Sequence, residues 1–147
     1  MDQQKEAIER SSSVINILLA EDLDGLRRLS PLLAGIKVSF VQTMTYAKSK
    51  LDEGSYDLIV TGVHFDDSSA VDFLKAVREH DRHKETPFVF IRTRSSSVAK
   101  MIQDNIAILH KVYEFHNLIE TENLGEDDAL IREAIMSCLN RRKETTQ

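Results

Sequence analysis

The 147 residues carry 19 Lys and Arg against 24 Asp and Glu, a net charge of −5, with five Gly, two Pro, no Trp and one Cys. That length suits one domain with a buried core, the mild acidity disfavours non-specific binding to nucleic acid or bilayer, and Cys138 alone supports neither an internal disulfide nor a Cys-rich zinc site. No apolar run approaches the ~20 residues of a membrane span, and the opening MDQQKEAIERSSS lacks a signal's apolar core, so a soluble cytoplasmic domain is expected.

Residues 1–13 are polar, end in Ser11 to Ser13, and read as a flexible leader; a domain over 14–142 and a tail over 143–147 follow. Val14, Ile15, Ile17, Leu18 and Leu19 form a run broken only by Asn16, as expected of a strand buried on both faces. It stops at Glu21 and Asp22. Leu23, Leu26, Leu29, Leu32 and Leu33 then recur at helical spacing, with Asp22 or Asp24 as cap and Pro31 shortening or kinking the helix. Lys37 to Val41 reads as a second strand, Thr43 to Leu51 as a helix closed by Gly54, and Asp57 to Thr61 as a third strand stopping at Gly62.

Ser68 or Ser69 is placed to cap a helix carrying Val71, Phe73, Leu74 and Val77 on one face. Pro87 introduces a strand over Phe88 to Ile91, and Ser95 to Ser97 precede a short helix from Val98 to Gln103. The run Ile106 to Leu109 reads as a fifth strand ending at His110 and Lys111, whereas residues 113–124 have no legible pattern. The last helix has Glu126, Asp127 and Asp128 at its start and Arg141, Arg142 and Lys143 at its end, matching the helix dipole. Strands alternating with helices in this way predict an α/β fold: a three-layer, doubly wound, five-stranded parallel sheet of flavodoxin-like type.

Sites in such sheets lie beyond the C-terminal strand ends. Those ends read Glu21 and Asp22, Gly62, Arg92 and Thr93, and Lys111. Together with the segments ILLAEDLDGL, DLIVTGVHFDDSSAVDFL, TPFVFIRTR and IAILHKV, they make the chain resemble, from about Asn16 to Asn140, the receiver domains of bacterial two-component response regulators, the chemotaxis-regulator fold. The resemblance implies an acidic pair after the first strand that binds magnesium, here Glu21 and Asp22. It also implies an aspartate ending the third strand that accepts a phosphoryl group, a Ser or Thr ending the fourth, and a Lys-Pro ending the fifth. The acceptor position falls on Gly62, the hydroxyl position on Arg92 with Thr93 one residue late, the Lys on Lys111 with Val112 in place of Pro, and the aromatic switch on Ile108. Asp66 and Ser69 stand where the family usually has Pro and Asp.

Glycine offers no carboxylate for aspartyl-phosphate formation, so the expectation is a degenerate pseudo-receiver, not an enzyme, needing no cofactor. Its output would come through a protein partner (a histidine kinase, another regulator, or its own copy as a homodimer) rather than nucleic acid or membrane. The partner face is placed around the fourth helix, fifth strand and last helix, with Ile108, Tyr113 and Phe115 on it.

Glu21 and Asp22 are read as a helix cap paired with nearby bases, with Arg92 taking the space of the lost cation. Were a metal bound, Glu21, Asp22, His64 and Asp66 would be the candidates, though His64, Asp66 and Asp67 read more simply as a solvated turn. The alternative function is a small-molecule or nucleotide sensor at the C-terminal edge of the sheet, using the donor-rich turn from Arg92 to Ser97.

Overall fold

The apolar run after Ile15 forms β1 (Asn16–Ala20), and the following strands are β2 (Lys37–Val41), β3 (Leu58–Gly62), β4 (Phe88–Arg92) and β5 (Leu118–Glu120). They make one sheet in the order β2-β1-β3-β4-β5, every pair parallel. The computed structural model describes residues 14–94 and 97–146, without the side chains of 97–99 and 140–146. The leader over 1–13 and the serines at 95 and 96 therefore lie outside the described residues.

Continuous apolar strands serve two cores because successive side chains point to opposite faces. Leu18, Ala20, Ile59, Phe88 and Phe90 face one layer, and Ile17, Leu19, Leu58, Val60, Val89 and Ile91 face the other. The first layer is closed by α2 (Met44–Glu53), α3 (Ala70–Glu79) and α4 (Ser97–Asp104), through Ala47, Leu51, Phe73, Leu74, Val77 and Ile102. The second is closed by α1 (Leu23–Leu29), the 3₁₀ turn Ser30–Leu33 and the last helix, which starts at Asp128.

Local signals account for the helix ends. Asp22 caps α1, its carboxylate accepting the Gly25 N–H at 2.9 Å, and Pro31 ends that helix by starting the 3₁₀ turn. Thr43 caps α2 by accepting the Tyr46 N–H at 3.2 Å. Ser69 precedes α3, but its hydroxyl donates to the Asp66 carbonyl instead of capping.

The expected fifth strand is a correction. Ile106–Val112 is a helix, α5, with Ile106 and Leu109 packed on the first core, and the strand is Leu118–Glu120. A four-residue apolar run fits either conformation, and here the three-residue spacing of Ile106 and Leu109 lays both on the core. β4 instead finds its neighbour farther along, pairing Phe90, Ile91 and Arg92 with Leu118, Ile119 and Glu120. Lys111 and Ile108 consequently lie on α5 and not at a strand end or within the sheet. The segment 113–124 resolves into β5 and the 3₁₀ turn Thr121–Leu124, closed by Gly125 in the left-handed region. The last helix, α6 (Asp128–Thr146), begins two residues after Glu126 and runs past residue 142.

Candidate functional site at the strand ends

In this strand order the chain reverses direction of winding between β1 and β3, where open parallel sheets form their crevice. The crevice is bounded by Glu21 and Asp22 after β1, Gly62 at the end of β3, and Arg92, Thr93 and Arg94 at and beyond the end of β4. On the far side stands Glu120, the last residue of β5. The resemblance places a lysine at that strand end, and this chain has a carboxylate there.

Glu21 is 1% exposed, and its side chain turns inward. Oε1 accepts the Asp22 N–H at 2.9 Å, and Oε2 is buried without a hydrogen-bond partner. A Cβ added to Gly62 would run into the Glu21 carboxyl, and one added to Gly25 would meet the same side chain. The two glycines thus create the space that Glu21 fills. Burial pushes this carboxyl up to about 8, opposed by the Asp22 amide, raised further by the Asp22 charge and opposed again by Arg94. It is a neutral acid at neutral pH.

Asp22 has the opposite fate. Burial alone would raise it, but hydrogen bonds from Arg94 and the Gly25 amide outweigh that and hold it below the usual carboxylate range. The Arg94 guanidinium approaches through Nη2 to Oδ2 at 2.6 Å and Nη1 to Oδ1 at 3.4 Å. Nearby His64 has a buried, unpartnered Nδ1, and burial together with Arg94 pushes its ring down.

Arg92 was the base expected opposite the acidic pair. It points instead across the β4–β5 edge, with Nη2 3.1 Å from Glu120 and 3.5 Å from Glu122. Arg94 occupies the expected role. Both arginines are legible at the end of β4, but only the position of Glu120 decides that it retains Arg92 and leaves Arg94 to Asp22. Thr93 lines an open cleft of about 230 Å³ together with Arg92, Arg94, Thr121, Glu122 and Glu126.

Asp66 accepts the Met44 N–H at 2.6 Å, so it serves the start of α2 and not a cluster with His64. Asp66, Asp67 and Ser68 form a left-handed turn with φ of 41°, 57° and 70°. Among the described residues no three His, Cys, Asp or Glu side chains converge as metal ligands. Of the expected partner face, Ile108 is 60% exposed, Tyr113 is partly buried, and Phe115 is a core residue set edge-on to Phe90 and stacked on His110. Phe115 is therefore unavailable for surface contact.

Similar solved structures cover nearly all of the described fold. They include a sensor protein from Polaromonas sp. JS666, with a TM-score of 0.67, 18% identity and coverage of 86% of this chain and 97% of that one. A CheY-like receiver domain protein from Methanospirillum hungatei JF-1 gives 0.67, 15%, 90% and 99%. The receiver domain of a sensor histidine kinase from Pseudomonas aeruginosa PAO1, with magnesium coordinated in its active-site cleft, gives 0.64, 14%, 87% and 99%. No family model and no curated protein matches the sequence. The fold is that of receiver domains.

The magnesium implied by that fold does not suit the residues present. Glu21 is turned under Gly62 and Gly25, both Asp22 oxygens are engaged by Arg94 and Gly25, and residue 62 contributes no ligand. A divalent cation there would face a guanidinium at close range.

Proposed function

We propose that this chain is a receiver-fold signalling module that works without aspartyl phosphorylation, through contact with another protein: a sensor kinase, another regulator or its own copy. The observation that carries this reading is Gly62 at the end of β3, with the Glu21 carboxyl lying where a side chain at that position would begin. The chemistry of phosphoryl acceptance needs a carboxylate nucleophile exposed to the donor and a metal to offset charge on the phosphoryl oxygens. Glu21 is buried and neutral, Asp66 is bound to the α2 amide, and Asp22 is paired with Arg94.

For contact, the α4–α5 segment offers Met101, Ile108 and Val112, which are more than half exposed. Incubation with acetyl phosphate and magnesium should leave the intact mass unchanged, and a stoichiometric phosphoryl adduct would overturn the phosphorylation-independent reading. Crosslinked pull-down with wild type and an Ile108→Glu/Val112→Glu variant tests the contact. A specific protein, or the chain's own dimer, should be lost with the variant; identical profiles would remove this face from the proposal.

The sensor reading has the cleft beside Arg92 and Arg94 in its favour, but both guanidinium groups are already paired with Glu120, Glu122 and Asp22. A nucleotide phosphate would have to displace these carboxylates.

A further inference from the structure

The closest relation between a cation and a carboxylate at the strand ends lies within the chain itself. Arg94 Nη2 stands 2.6 Å from Asp22 Oδ2, and its Nη1 reaches Oδ1, which also accepts the Gly25 N–H. Both oxygens of the half-buried Asp22 carboxylate are therefore engaged. The other carboxyl of the acidic pair is withdrawn: Glu21 is buried and fills the space against Gly62 and Gly25. The second guanidinium, Arg92, is held by Glu120 and Glu122 across β5 and does not compete for Asp22.

We infer that Arg94 is a built-in counter-ion, its guanidinium neutralising Asp22 so that the ends of β1 and β4 are joined without a divalent cation and offer it no free carboxylate. A guanidinium gives a planar, permanently charged fork that engages two carboxylate oxygens at once. It also repels an incoming dication at short range. Unlike a dissociable ion, it is tethered two residues past the end of β4, so the β1 and β4 ends stay joined at any metal concentration. This inference shares the Asp22–Arg94 pair with the phosphorylation-independent reading and is independent of the protein contact.

The test is thermal unfolding of the full chain with and without about 10 mM magnesium chloride, against potassium chloride of equal ionic strength. Wild type should show no magnesium-specific shift. Arg94→Ala leaves Asp22 without its counter-ion and should lower the melting temperature by roughly 2–4 °C with or without magnesium, a loss that should shrink when Asp22→Asn is already present. Arg94→Gln, close in size and uncharged, repeats the comparison should the alanine variant fold poorly. A magnesium-specific rise in wild type, or equal losses from removing Arg94 with and without Asp22→Asn, would overturn the counter-ion role. The first of those results would leave the acetyl phosphate experiment untouched, so the two failures can be told apart.

Discussion

A carboxyl that is almost wholly buried, with one oxygen unpartnered, is stable only as the neutral acid, and Glu21 meets that condition with a value of about 8 against an ordinary 4.5. Folded Glu21 keeps its proton over an interval in which the unfolded chain has released it. Its contribution to stability is fully present below the ordinary value, declines as pH rises through the interval, and levels off above about 8. Glu21→Gln does not titrate. Urea denaturation from about pH 5 to pH 8 should therefore move the difference in the variant's favour, by on the order of a few kcal/mol; parallel curves would sink the assignment of a neutral Glu21. The low Asp22 value titrates with the opposite sign but is common to both proteins and drops out of the comparison. Gly62 follows from the same packing. Gly62→Asp places a Cβ against the Glu21 carboxyl and should cost about 2 kcal/mol or more. Adding Glu21→Ala should recover part of that loss, and strict additivity of the two changes would show that they do not share the space.

At the scale of elements, the stretch from α4 to β5 separates what is exposed from what is core. Phe115 follows α5 and packs on Phe90, so Phe115→Ala should cost about 3–5 kcal/mol in denaturant unfolding. Ile108→Glu, on the exposed side of α5, should stay within about 0.5 kcal/mol of wild type. Similar losses for the two would mean that Ile108 is packed on the core and not exposed on α5. The same layer is also held by Arg78 and His83. Arg78 donates to the carbonyls of Glu114, His83 and Thr86, tying α3 to the segment before β5. His83 is fully buried, bonded to Thr86 and the Leu51 carbonyl, and burial pushes its ring down. Its contribution is present above the ordinary histidine range and is lost as pH falls below it, because the unfolded ring takes up a proton first.

Across the whole molecule, two apolar layers hold the sheet while charges at its C-terminal edge are balanced within the chain. Arg28 reaches Asp128 at 2.8 Å and the Glu126 carboxylate at 3.6 Å, joining α1 to α6 as Arg92 and Arg94 join the strand ends. The exposed Arg28 pairs add little stability singly, whereas the Arg92–Glu120 pair is mostly buried and, with Arg94–Asp22, leaves the cleft beside β4 with its arginines engaged. About 5 mM ATP should accordingly raise the melting temperature no more than an ionic-strength control. A saturable rise abolished by Arg92→Ala would transfer the function to the small-molecule reading. Among the described residues no helix is long and apolar enough to cross a membrane.

The α/β architecture was legible because β1, β3 and β4 are short apolar runs with helical patterns between them, and period-two alternation lets one run feed both cores. Pro31 marked its helix boundary through local chemistry that requires no tertiary partner, and Asp22 and Asp24 marked the start of α1, where Asp22 is the cap. The absence of a carboxylate at residue 62 was equally plain. Ile106 to Leu109 was ambiguous because four apolar residues satisfy strand and helix alike, and the choice belongs to β4, which pairs instead with Leu118–Glu120. That shift moved Lys111 and Ile108 onto α5 and put Glu120 beside Arg92. The pairing of Arg94 with Asp22, and the inward turn of Glu21 against Gly25 and the distant Gly62, were likewise decided only by tertiary structure. Charge pairing and desolvation depend on distances between strand ends, and those distances exist only once the sheet has formed.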